Sequence, residues 1–306
     1  MAPPLAAQGD IHALRETIAR IEGSVPRTLP EAGSRPGAGF AGPRAGHLPL
    51  GLDAFDRALG GGFPGAGLAE IRTAETRDFG AASAFTLALM AVLRAQAPAL
   101  SAPLVWISAP ETRLDGGEIW MPGIAGLVGP ESPLILVQPA RLADALWAAE
   151  AAAGSAAIGA AILELRGNPT GFGLTESRRL HLRARATGRP LFILRQAGEE
   201  EASAAPVRFA VAPAPAAPRR LQDGNPLAGS LGRPAFTVTL EKSRLPAPPF
   251  LTLEWNPDEC RFDVRPPVPA ARRAGAADPG AELPAAGDGP HRADAARSVL
   301  AFARAS

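Results

Sequence analysis

Four short, continuous apolar runs, LVWIS (104–108), LILV (134–137), AILEL (161–165) and LFILR (191–195), alternate with helix-period stretches at about 80–96, 141–153 and 175–187. Runs this short, with no polar residue at every second position, are what strands covered on both faces require. Between them, Leu142, Ala145, Leu146 and Ala149 fall on one face of a helix. Strand, helix, strand, helix in series constrains the chain to an α/β fold, with a mostly parallel sheet flanked by helices and joined by right-handed crossovers. A strand around 68–72 opens the series, after a short helix carrying Leu52, Phe55 and Leu59 and a Gly60-Gly61-Gly62 break. From 207 the pattern changes. VRFAV (207–211), FTVTLEK (236–242), FLTLEW (250–255) and CRFDV (260–264) alternate in polarity, which predicts an antiparallel C-terminal edge.

The flanks read differently. In DIHALRETIARIEG (10–23), Ile11, Leu14, Ile18 and Ile21 form an apolar stripe, with Asp10 as N-cap and Gly23 as stop. Residues 24–46 are rich in Pro, Gly and Ala and predict a linker. Beyond Pro266 an Ala/Pro/Gly/Arg-rich tail predicts disorder, with a short helix at 292–304 that is either a partner motif or a solvated end. Three segments follow: 1–46, a tethered amphipathic helix and linker; 47–266, the core domain; and 267–306, a disordered tail.

Charge and composition exclude several classes. Formal net charge is +1, which gives no global field toward nucleic acid or an anionic membrane. Cys260 is the only cysteine, so an internal disulfide and a multi-cysteine metal site are impossible; in a strand-like stretch its thiol is either packing or a nucleophile. The histidines His12, His47, His181 and His291 have no ligand spacing, and no metal site is expected. No signal peptide and no long uninterrupted apolar span is read, so the cytoplasm is the expected compartment and no membrane a partner.

The stretch IRTAETRDFGAASAFTLALM (71–90) runs from strand to helix where a nucleotide-binding protein keeps its phosphate loop. Such a loop needs converging N–H groups, a lysine for the phosphate oxygens and a Ser or Thr for magnesium. Here Gly80, Ala81, Ala82 and Ser83 stand at the position without a lysine, and Lys242 is the only lysine in the chain. Arg77 lies between Glu75 and Asp78, whose carboxylates oppose a triphosphate. Glu164, near the end of AILEL, stands where a nucleotide hydrolase holds magnesium; without a lysine opposite, pairing with a local arginine such as Arg166 is expected. Glu111, after LVWIS, is in a position to polarise water but has no phosphate to serve. No bound cofactor and no catalytic residue is expected. Arg178, Arg179, Arg183, Arg185, Arg189 and Arg195 form a basic run that is either a solvated helix surface or a patch for an anionic partner.

In order and spacing these segments resemble a degenerate RecA core. LGLDAFDRALGGGFPGAGLAEI is similar to the segment leading into the first core strand, LILVQPARLADALWAAEAAAGSAAIGAAILEL to the run from strand through a QP turn and helix to the second nucleotide motif, and FTVTLEKSRLPAPPFLTLEW to a strand ending in a basic pair, here Lys242 and Arg244. The missing lysine and the wording LPLGLDAFDRALGGGFPGAGLAEI resemble most the ImuA group of bacterial mutagenesis proteins, often labelled SulA-like. That resemblance implies a RecA-like fold and a non-catalytic accessory of SOS-induced translesion synthesis, acting at the nucleoid with RecA, an ImuB polymerase-like protein and an error-prone polymerase. It also implies that Ile11, Leu14 and Ile18 on the tethered helix, and Lys242 with Arg244, are partner-facing; for the basic pair the alternative is a polar strand end facing water. RGNPTGFG (166–173) and QAGEEEASAAP (196–206) begin where RecA has its DNA-binding loops. Both are short, and Glu199, Glu200 and Glu201 oppose a phosphate backbone, so direct nucleic-acid binding in the RecA manner is not expected. Two other readings stand beside the adaptor: a divergent RecA-like ATPase using Arg77, and a SulA-like inhibitor of cell division.

Overall fold

Alternation within each apolar run decides which side of a sheet every side chain meets, and here both sides are covered by helices. The computed structural model describes residues 46–128, 133–227, 229–247 and 250–266. The predicted helix bearing Ile11, Leu14 and Ile18, its linker and the C-terminal tail lie outside these residues. A two-stranded ribbon, β1 (His47–Leu48) with β2 (Phe63–Pro64), brackets helix α1 (Asp53–Leu59). The main sheet contains β3 (Gly67–Arg72), β4 (Leu104–Ser108), β5 (Leu134–Val137), β6 (Ala160–Arg166), β7 (Pro190–Gln196), β8 (Val207–Pro213), β9 (Ala235–Lys242), β10 (Leu251–Asn256) and β11 (Arg261–Arg265). Their spatial order is β11-β10-β9-β8-β3-β7-β6-β4-β5, parallel from β8 to β5 and antiparallel from β8 to β11.

One face packs on α1, α2 (Phe79–Gln96) and α4 (Met121–Val128), through Ile71, Trp106, Ile162, Phe192 and Leu194. The other packs on α5 (Leu142–Ala153) and α6 (Leu174–Thr187), through Leu68, Ile107, Leu163, Leu191 and Ile193. A short helix, α3 (Thr112–Gly116), links β4 toward α4. The antiparallel edge closes over the first face by an aromatic cluster of Phe85, Phe209, Phe236, Phe262 and Trp255. The Trp255 indole N–H donates to the Leu127 carbonyl at 3.0 Å, which ties β10 to α4.

Three expectations need correction. VRFAV pairs in parallel with β3, so the antiparallel region begins one strand later, at β9. Its one polar side chain, Arg208, is buried against Glu70, so the polarity there does not report strand direction. LILV is the edge strand β5, with Ile135 and Leu136 exposed, and not a strand covered on both faces. Cys260 lies in the turn before β11 at φ 47° and is exposed, so packing does not account for it. Helix α2 is long and apolar enough to cross a membrane by length and composition alone, yet its apolar residues Phe85, Leu89 and Leu93 form the centre of the first core.

Gly62 is fixed by geometry. It sits at φ 134°, and a Cβ there would come within 2.5 Å of the Leu48 carbonyl carbon and oxygen. Gly62→Ala should therefore cost about 2 kcal/mol or more, measured by urea denaturation, because both the backbone conformation and the β1–β2 contact resist a side chain.

Candidate functional site

In parallel sheets ligands sit beyond the carboxyl ends of the strands, and some of the residues singled out in the sequence lie at that edge. After β3 the chain passes through Thr73 and a 3-10 turn, Thr76–Asp78, directly into α2. Thr73 N donates to the Arg195 carbonyl at 3.0 Å, and Ala197 N donates to the Thr73 hydroxyl at 3.3 Å, so the turn is pinned to β7. Gly80, Ala81, Ala82 and Ser83 all lie within α2 and form no loop. A Cβ on Gly80 would meet nothing within 4 Å, so no close backbone approach depends on this glycine. Arg77 pairs with Glu75 at 2.8 Å on the exposed surface.

Below this turn, on the α5–α6 side, Glu70 is buried between two arginines. Arg195 Nε donates to one carboxylate oxygen at 2.6 Å, and Arg208 Nε and the Ser203 hydroxyl donate to the other at 3.0 and 2.8 Å. All three charged side chains are nearly inaccessible. Burial alone pushes the Glu70 carboxyl up, but Arg195, Ser203 and Arg208 outweigh it and hold the group below its ordinary value. Arg195 extends to the Gly167 carbonyl at 3.0 Å and stacks over Phe172, while Arg208 reaches Glu200 at 3.3 Å and the Glu201 carbonyl. Beside them Arg72 pairs with Glu241 of β9 and donates to the Gly198 carbonyl.

The same network holds the two segments matched to DNA-binding loops. Asn168 Oδ1 accepts from Glu199 N at 2.9 Å, and its amide donates to the Glu199 carbonyl and the Glu201 carboxylate. Two of the three glutamates expected to repel phosphate, Glu200 and Glu201, therefore face arginines of the molecule itself. The basic run is likewise dispersed. Arg195 is in the core, Arg179 and Arg183 pair with Glu150, and Arg189 donates to the Ile158 and Ala156 carbonyls. His181 accepts from Leu68 N at 3.1 Å; burial, then Arg185, holds its pKa below the usual value. Lys242 Nζ donates to the Ser203 carbonyl at 2.9 Å, and Arg244 is exposed in the segment that docks on α1 through Leu245 N and the Ala58 carbonyl.

Glu164 lies on the opposite face, and its partners are not arginines. Trp106 Nε1 and the Ser108 hydroxyl donate to one oxygen at 2.9 and 2.7 Å, and Gln196 Nε2 donates to the other at 2.6 Å. Arg166 is two residues further along the strand on the same side, but it is the exposed last residue of β6, while Glu164 points into the core. Burial pushes the Glu164 carboxyl up, and the hydrogen bonds offset this only in part. Glu164 forms part of a cavity of about 360 Å³ shared with Phe79, Gly80 and Ser83 of α2 and with the 116–127 segment. Of the sequence-selected residues, the fold thus brings Gly80, Ser83 and Glu164 together and leaves Lys242 and Arg244 apart from them. Ala81 and Ala82 pack into the core, and Glu111 is exposed at the start of α3. Sequence reasoning missed the Glu70 cluster, although the signal was present: GLAEIR, LFILR and VRFAV each carry a charge inside an apolar run, and such charges must find one another. Among the described residues, no group of three His, Cys, Asp or Glu side chains gathers to hold a metal ion.

No protein-family model matches the chain, and no curated protein matches it. Among solved structures it is similar to the crystal structure of the RadB recombinase, at 13% identity and a TM-score of 0.40, over 69% of this chain and 96% of that one. That likeness is too distant to bear on what the chain does.

The two buried carboxyls respond oppositely to substitution. Glu70→Ala leaves two guanidinium groups buried without their counter-charge and should cost about 3–5 kcal/mol by urea denaturation. Glu164 holds its proton more tightly folded than unfolded, so wild-type stability falls as pH rises from the ordinary glutamate value of 4.5 to the raised folded value, then levels. Glu164→Gln cannot titrate, so its stability relative to wild type should climb across that window in melts taken from pH 4 upward.

Proposed function

We propose that the chain is a catalytically silent RecA-like adaptor in SOS-induced translesion synthesis, bridging RecA and an ImuB-type polymerase-like protein with its error-prone polymerase in the bacterial cytoplasm. The observation that carries the reading is the absence of phosphate-handling chemistry at the strand ends. The turn before α2 has no lysine, Arg77 is engaged by Glu75, and the chain's single lysine, Lys242, donates to the Ser203 carbonyl. The tie between Asn168 and the 199–201 segment also supports it, since loops fastened to each other are poorly suited to closing around a DNA strand. On this reading, what a RecA-type frame without nucleotide or DNA chemistry has to offer is its contact surfaces, and these are what an adaptor uses.

The test is affinity purification of tagged full-length protein from DNA-damaged cells, beside the same protein lacking residues 1–24, with bound proteins identified by mass. Recovery of RecA and the polymerase-like partner, with RecA lost on truncation, is the expected outcome. Purified protein should show no ATP binding at micromolar concentration. Recovery of the division GTPase in place of these partners, or DNA-dependent ATP hydrolysis, would overturn the proposal.

A further inference from the structure

The cavity between α2 and the 116–127 segment combines apolar walls with one buried acid. Phe79, Leu87, Trp106, Ile119, Ile124 and Leu127 line it with apolar surface, and its volume of about 360 Å³ is in the range of small-molecule sites. Glu164 lines it with its side chain buried. Its side-chain partners, Trp106, Ser108, Thr112 and Gln196, are all neutral. A second polar group on the cavity has no partner at all: the Ser83 hydroxyl is buried with no hydrogen bond to any protein atom. Glu118, also on the cavity, adds a second negative charge.

These features select a ligand by charge. An anion such as a phosphate meets two carboxyl groups and no cation, so it is repelled. A neutral apolar molecule fills the walls but leaves the Ser83 hydroxyl unsatisfied. A cation with several N–H donors satisfies the hydroxyl, supplies beside Glu164 the charge that its neutral hydrogen-bond partners do not, and lies against the faces of aromatic side chains. We propose that this cavity binds a small organic amine, its ammonium group donating to Ser83 and lying beside the Glu164 carboxyl, and its apolar body held between Phe79, Leu87, Trp106 and Ile124. The amine comes either from a free small molecule or from a lysine side chain of a bound protein, since both present the same group.

Titration calorimetry on the full chain tests this with phenethylamine, with 2-phenylethanol as its uncharged counterpart, and with N-acetyl-lysine methylamide as the side-chain source. The amine should bind about tenfold to a hundredfold more tightly than the alcohol, the range that a charge-assisted hydrogen bond represents. Glu164→Gln should remove that preference, and Ala84→Phe, which fills the cavity, should abolish binding of both while circular dichroism reports a folded chain. Binding of phenethylamine alone supports a free amine, and binding of the blocked lysine supports a protein side chain. Equal affinity for amine and alcohol, no binding of any probe, or amine binding that survives both substitutions overturns the proposal.

Discussion

A carboxylate in the middle of a parallel sheet sets the terms for everything at its carboxyl edge. Glu70 is on β3, the strand between β7 and β8, and each neighbour contributes the arginine that neutralises it. An isolated charge there would be prohibitively costly to bury, and so would either arginine alone. The three charges therefore make the pairing of three strands mutually dependent. Their outer hydrogen bonds carry the constraint into the 167–172 and 198–203 segments, which is why the surface beyond the strands is fastened instead of open.

Much of the α/β architecture was legible because burial on two faces leaves a plain signature: short runs with no polar alternation, separated by helices of suitable length. The antiparallel region was legible for the opposite reason, since one face of β9 and β10 is less covered and polar residues return at every second position. What was not legible depended on neighbours distant in sequence. LILV reads as a central strand, and nothing within those four residues reports that only β4 pairs with it among the described residues. Glu164 was read with Arg166 because local proximity is all a sequence displays, whereas its partners come from β4 and the end of β7. The arginine run from 178 to 195 looked like one surface. Its members face different directions, and Glu70, Glu150 and two backbone carbonyls divide them.

The two buried glutamates show how the surroundings decide what one side chain does. Glu70 is held ionised by two cations and belongs to the frame. Glu164 has only neutral donors and is pushed toward its protonated form, and it borders open space. The sheet separates them by a single layer, yet one is neutralised by two guanidinium groups and the other meets neutral donors. That difference is why the α2 side, and not the more highly charged side, has chemistry left over.

Arg195 and Gln196 are consecutive residues of β7, and they point to opposite faces, one to Glu70 and the other to Glu164. The residues before them, Leu191 to Leu194, are apolar on both sides, so hydrophobicity would accept this strand shifted by one position almost as readily. Such a slip would drive a guanidinium beneath the apolar face of α2 and leave Glu70 facing an amide. The alignment of an otherwise ambiguous greasy strand is thus written in two polar residues at its end, which act as a key cut for two different locks.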